Sequence, residues 1–340
     1  MCKKRRQFSY DACVKSNKKN GEDFMNYELF KDEIEAAIKE AVERELGGEV
    51  KIGRTPKNNI MMDSLNYVPE GASVGVVVYQ KNLYEQYLAG EDISGIVADH
   101  IQVFKEKMKE CGKIEIMAKE RIKLENVYPA LVPRQGNEEY LENIPYIPFE
   151  DLAITFRISA DEIGATMLVN DQMLDQFAVS VEELKEAALH GAVFTENIFL
   201  MDMKECINSM MSDDYEPSED ISNVKDSDSP MIIISNKNKA YGAGSILSSD
   251  AMEKVSQAME DDLYILPSSV HECIAIPAQD RSREDELRDM VREINETQVL
   301  PEEVLSNQVY FYDSRERTLS MVPEDRTWQA PLHAADAPKR

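Results

Sequence analysis

Apolar residues in this chain come in short blocks, and their spacing switches repeatedly between the two periods of regular secondary structure. That switching constrains the fold more than any other feature. Phe30, Ile34, Ile38, Val42 and Leu46 recur every four residues and predict a helix over about 27–46, stopped by Gly47-Gly48. Val74–Tyr79 is instead a β-branched run of strand length, set off by the Pro69-Glu70-Gly71 turn. The longest apolar runs, such as Val76–Tyr79 and Met231–Ile234, are far too short to cross a bilayer. A chain built this way folds as α/β (α+β mixed), with mixed sheets covered by helices.

The same reading extends along the chain. Strands are expected around 51–54 and 60–68, and a short helix over 83–88. A longer helix is capped by Asp92, carries Ile93, Val97, Ile101, Phe104 and Met108 on one face, and is expected to end before Gly112. Four prolines break up 127–148, leaving a short helix at 138–143. Leu152–Ile158 and Ala165–Val169 read as paired strands around Asp161–Gly164. Ser180-Val181-Glu182-Glu183 is a capping box opening a helix to His190, and a second helix is expected over Asn197–Met211. Beyond it, Met231–Ser235, Leu263–Leu266 and Glu272–Ile276 read as strands and Tyr241–Leu247 as an extended piece. A helix capped by Asp250 with Glu253 carries Met252, Val255 and Met259, and Leu287, Met290, Val291 and Ile294 mark another. Gln308–Tyr312 and Thr318–Val322 read as a hairpin.

Charge divides the chain. The whole carries 64 acidic against 38 basic residues, a net charge of −26. Residues 1–24, with seven Lys/Arg against three acids, read as a disordered basic leader, and Met25 as the start of the domain proper. Residues 212–229 contain seven acids, one base and few apolar side chains, the composition of a flexible linker. The expected organisation is therefore an N-terminal lobe over 25–211, an acidic linker over 212–229, a C-terminal lobe over 230–322 and a disordered Pro/Ala tail over 323–340. So negative a surface repels nucleic-acid phosphate and anionic membrane, and a charged partner is expected to be a basic protein or peptide. The five cysteines are scattered with no CxxC pair, which argues against a disulfide framework or structural zinc and for a reducing, cytoplasmic setting.

The run Asp262-Leu263-Tyr264-Ile265-Leu266-Pro267-Ser268-Ser269-Val270-His271-Glu272 resembles the signature stretch of a bacterial family known as domain of unknown function 5688. Met25–Phe30, Ile147–Ala153 and Tyr241–Leu247 are similar to it as well, and the likeness spans roughly 25–322. A more distant likeness, to YtpQ-like proteins, rests on Met173-Leu174-Asp175-Gln176-Phe177 leading into Val181-Glu182-Glu183-Leu184. The resemblance implies domain limits and a bacterial cytoplasmic origin. It implies no activity, cofactor or catalytic residue.

The residues with the most chemical promise are Ser268, Ser269, His271 and Glu272. A nucleophilic hydroxyl needs a base in reach and a third group to orient that base, and all three residue types fall within five positions here. In an extended segment, however, Ser269 and His271 share a face while Glu272 points away, and no G-x-S-x-G elbow poses the serine. A turn between two apolar strands explains the same residues. Gly242-Ala243-Gly244 lacks the third glycine of a dinucleotide fingerprint, Leu247 standing in its place, so close backbone packing is expected and no cofactor. The four histidines are far apart and Asp213-Asp214 and Asp226-x-Asp228 lack the glycine and terminal Glu of a calcium loop, so no metal site is expected. Glu150 and Asp151 read as strand-entry residues rather than an acid/base pair. Met201, Met203, Met210 and Met211 suit an irregular core or an adaptable surface. These features favour a non-enzymatic binding or regulatory module acting through protein contacts, with a small hydrolase using Ser269 and His271 as the alternative.

Overall fold

A computed structural model describes residues 18–19, 22–70, 75–160, 165–211, 218–279 and 283–323. The chain forms two compact units, one of Met1–Lys57 with Met61–Glu120, the other of Asn58–Ile60 with Arg121–Arg340.

In the first unit, helix α1 (Tyr27–Glu45) begins at Asn26, whose side-chain oxygen accepts the Leu29 N–H at 3.0 Å. Its four-residue repeat turns Phe30, Ile34, Ile38 and Val42 inward, each with at most 1% of its surface exposed. Strands β1 (Glu49–Lys57), β2 (Ile60–Val68) and β3 (Val76–Tyr79) form a sheet in that order. Leu65 and Tyr67 of β2 join this core, together with Leu83 of α2 (Gln80–Leu88) and Ile96, Ile101 and Phe104 of α3 (Ile93–Arg121). The α3 helix runs through Gly112, where the sequence reading ends it. One helical glycine costs about 1 kcal/mol relative to alanine, and the residues after it include Lys113, Glu115, Met117, Ala118 and Lys119, good helix formers with no proline.

The second unit holds two sheets. In the smaller, β6 (Leu152–Ala160) pairs antiparallel with β4 (Val127–Pro133) on one edge. Its other edge is shared by β5 (Ile147–Phe149) and β7 (Ala165–Leu168). The larger comprises β8 (Ile198–Asp202), β9 (Ile232–Asn236), β10 (Leu263–Leu266), β11 (Cys273–Pro277), β12 (Tyr310–Asp313) and β13 (Thr318–Met321), ordered β8-β9-β11-β10-β12-β13. Its ladders are all antiparallel. The helices are α4 (Glu138–Leu141), α5 (Asp171–Phe177), α6 (Val181–His190), α7 (Ala192–Thr195), α8 (Met203–Met211), α9 (Ser249–Met259) and α10 (Glu284–Thr297). One core gathers Phe156 and Ile158 of β6, Ile232 and Ile234 of β9, Leu263 and Ile265 of β10, Leu184 of α6 and Val255 of α9. The opposite face of the large sheet offers Tyr264 and Leu266 to Leu287 and Val291 of α10. The capping box forms: Ser180 Oγ accepts the Glu183 N–H at 3.2 Å and the Glu183 carboxylate accepts the Ser180 N–H at 2.8 Å.

Several expectations are corrected. Residues 198–202 are a strand, not the start of a helix, because Ile198-Phe199-Leu200-Met201 pairs with β9 from Ile198↔Asn236 to Asp202↔Ile232. That ladder joins residues on either side of 212–229, so the two lobes do not part there; the compact units divide near residue 120. Nor is the described part of the acidic segment a free linker. Ile221 and Val224, 3% and 2% exposed, are inserted into the main core and anchor it, with Val224 in a short 3-10 turn. Residues 212–217, most of the leader, and the tail beyond Pro323 lie outside the described residues. Residues 242–247 are a 3-10 helix rather than an extended piece, and Ser248, not Asp250, caps α9 by accepting the Ala251 N–H.

That 3-10 helix depends on its glycines. A Cβ on Gly242 would sit 2.3 Å from Ser235 Oγ and 2.6 Å from the His271 carbonyl, and one on Gly244 2.5 Å from the Pro129 carbonyl. Gly242→Ala is expected to lower stability by about 1–3 kcal/mol, read as a lower denaturation midpoint. Gly53→Ala, whose Cβ would meet nothing within 4 Å, is expected to stay within about 0.5 kcal/mol of wild type.

Candidate functional site

Ser268, Ser269, His271 and Glu272 occupy the connection between β10 and β11. Backbone bonds close it: Ser269 N–H donates to the Glu272 carbonyl (3.1 Å), Glu272 N–H to that of Ser269 (3.4 Å), and Val270 N–H to that of Glu303 (2.8 Å). Ser269 Oγ accepts the His271 backbone N–H at 3.1 Å. The serine thus meets the histidine's main chain.

The imidazole turns toward Tyr241 and Glu303. Its Nδ1 accepts the Tyr241 N–H at 3.2 Å, its Nε2 lies 3.8 Å from Glu303 Oε1, and its ring centroid is 5.6 Å from that of Tyr241. A nitrogen that accepts carries no proton in the neutral ring, so the proton sits on Nε2, facing the carboxylate. The acid beside the histidine is therefore Glu303, in a 3-10 turn over 301–303, and not Glu272. Nothing in the local sequence links residues 271 and 303; only the fold brings them together. Glu272 enters the turn through its backbone.

Tyr241, at φ 54°, also lies beneath Arg157, whose guanidinium carbon is 3.3 Å from the ring centroid. Arg157 is 7% exposed on β6, donating to Thr166 Oγ1 at 2.9 Å and to the Tyr140 hydroxyl at 3.5 Å. Burial raises the pKa of the Tyr140 phenol, against the pull of the adjacent guanidinium. Next to this pair, Tyr128, Ser159, Asn197, Asn236, Asn238 and Tyr241 line a cleft. Its volume of ≈ 10 Å³ is about that of one water.

The remaining sequence candidates are placed as follows. Glu150 adopts φ 51° at the tight β5–β6 turn. Asp151 beside it reaches the large sheet, accepting the Tyr310 hydroxyl on one oxygen and Ser306 Oγ (2.7 Å) on the other. His100 Nδ1 lies 2.9 Å from the Ile96 carbonyl, on its own helix. Among the described residues, no group of three or more His, Cys, Asp or Glu could hold a metal ion, and no helix is long and apolar enough to cross a membrane. Met201 is buried, whereas Met210 and Met211 of α8 are exposed, so the methionines divide between core and surface.

A surface that the sequence reading treats as core lies on α10. Met290 and Ile294, expected on its buried face, are each 40% exposed, and Glu286, Asp289 and Glu293 lie within a turn of them on the solvent side. The helix buries Leu287 and Val291 and leaves an acidic face with an apolar pair within it.

Taken together, the chain is an α+β protein with antiparallel sheets, and comparison with known families places it. The model of a Family of unknown function (DUF5688) matches residues 27–314, and the chain belongs to that family. No curated protein and no solved structure matches it.

The Asp151–Tyr310 contact has a pH signature. Burial first, and the adjoining carboxylate second, push the Tyr310 pKa far above that of a free tyrosine. A folded pKa raised above the unfolded one leaves stability intact below the unfolded value, about 10, and erodes it as pH rises beyond that. Tyr310→Phe is expected to be less stable at neutral pH but to lose stability less steeply above pH ~10, measured by denaturant unfolding along a pH series. An equally steep alkaline decline in the variant would count against this.

Proposed function

We propose that the protein is a non-enzymatic binding module of the bacterial cytoplasm that takes a basic protein or peptide, and that the acidic face of α10 is where the partner docks. The observation that carries this reading is Met290 and Ile294, exposed among Glu286, Asp289 and Glu293 on one helix face of a chain with net charge −26. An amphipathic cationic helix complements such a face: its apolar side chains cover the Met–Ile pair while its lysines meet the flanking carboxylates. The long-range field of so acidic a chain also speeds the encounter. The hydrolase reading draws less support, since His271 Nδ1 already accepts a backbone N–H and its Nε2 faces Glu303.

The test is a titration with a fluorescent helical Lys/Leu peptide, followed by anisotropy at low and high salt. Asp289→Lys with Glu293→Lys is expected to weaken binding about tenfold, the equivalent of ~1.4 kcal/mol. Added salt is expected to weaken the wild type and to affect the variant less. Affinity unchanged by the double substitution would contradict the docking face. Hydrolysis of p-nitrophenyl acetate by the wild type, abolished in both Ser269→Ala and His271→Ala, would contradict the non-enzymatic reading.

A further inference from the structure

The chain leaves its last described strand against α10. Arg288 of that helix donates to the carbonyls of Val322 and Pro323 (3.4 and 3.3 Å), and residues 324–340 lie outside the described residues. Arg288 is itself fixed: it is 5% exposed and also donates to the Asp285 carboxylate (3.0 Å) and the Gln308 amide oxygen (3.3 Å). Successive helical residues turn by about 100°, so α10 carries three neighbouring rows of residues four apart. Arg288 and Arg292 form the first, Asp289 and Glu293 the second, Met290 and Ile294 the third. All but Arg288 are exposed, and Arg292 lies 4.0 Å from Asp289. The first row is the one that holds Pro323. A path across the helix from Pro323 therefore meets positive charge, then negative charge, then an apolar pair.

The residues that follow Pro323 are Glu324-Asp325-Arg326-Thr327-Trp328, which is the complement of those rows in the same order: acids, a base, then an aromatic. We propose that residues 324–328 cross α10 and close its docking face from within the chain. Glu324 and Asp325 meet Arg292, Arg326 meets Asp289 and Glu293, and Trp328 covers Met290 and Ile294. The reach is sufficient, since five extended residues span roughly 17 Å and a helix with its side chains is about 10 Å across. Exposed ion pairs set the register of such a contact more than its strength. The indole, a large and rigid apolar body, supplies most of the hold. Because the segment is tethered at Pro323, its high effective concentration makes even a weak contact form. A basic partner then competes with Arg326 and Trp328 for the same face, a regulatory role that rests on the reading of α10 as the docking site.

Trp328 reports the contact directly, being the single tryptophan of the chain. In the full chain its emission is expected to lie to the blue of that of the urea-unfolded chain and to be shielded from acrylamide. Met290→Gln with Ile294→Gln is expected to return both readings to their unfolded values while the far-UV circular dichroism stays unchanged, since both side chains are exposed. Trp328→Ala, also in the full chain, is expected to bind the fluorescent Lys/Leu peptide about tenfold more tightly than wild type, as removal of a closed state populated about nine parts in ten requires. Emission at the unfolded position, emission unmoved by the double substitution, a blue shift that grows with protein concentration and so reports a second copy, or peptide binding no tighter in Trp328→Ala would overturn the proposal. Peptide bound by neither chain, with Trp328 still shielded and released by the double substitution, would overturn the docking reading instead and leave the contact within the chain standing.

Discussion

The second unit is organised by a sheet buried on both faces. In β10, Leu263 and Ile265 enter the core shared with β6, β9, α6 and α9, while Tyr264 and Leu266 pack toward α10. Strand side chains alternate, so a shift of one residue would exchange the two sets and put a tyrosine where the larger core holds an isoleucine. Register in the β10–β11 ladder, from Leu263↔Pro277 to Leu266↔Ile274, is held from both sides at once. That fixes where the 267–272 connection emerges, and hence where the His271 ring meets Tyr241. Gly242 completes the arrangement because only a residue without a Cβ lets the 3-10 helix approach Ser235 and the His271 carbonyl so closely.

Most buried polar groups around this frame are committed to holding it. Asp151 ties the β5–β6 turn to β12 through Tyr310 and Ser306, and Ser235 Oγ donates to the His271 carbonyl at 2.8 Å. Hydrogen bonds of this kind each contribute about 1 kcal/mol net, but leaving one partner unmatched inside the protein costs more. Ser269, His271 and Glu272, half-buried, also bond within or beside the 267–272 connection. The α10 surface stands apart because its apolar pair, Met290 and Ile294, is exposed.

Much of this architecture is legible in the residues themselves. The four-residue repeat of α1, the Ser180–Glu183 capping box, the apolar strand β10 and the β12–β13 hairpin all rest on local periodicity or side-chain chemistry, and local signals survive folding. What is not legible depends on distant pairing. Ile198–Met201 is apolar enough for helix or strand, and only the β9 ladder decides. Acidic composition hides Ile221 and Val224, two side chains buried in the core within a stretch otherwise suited to solvent. No local pattern could tie Glu303 to His271. Arg157 did leave a trace: Thr155, Arg157 and Ser159 alternate with Phe156 and Ile158, the mark of a strand with one apolar and one polar face.

The central claim is that His271 fastens the turn and is not poised to take a proton from a hydroxyl. Long-range proton–nitrogen correlation NMR of the imidazole reads this directly, since it distinguishes the protonated ring nitrogen from the accepting one. The account requires the neutral ring to carry its proton on Nε2, with Nδ1 accepting from Tyr241. A neutral ring protonated on Nδ1, with Nε2 free to accept from a serine, would contradict it.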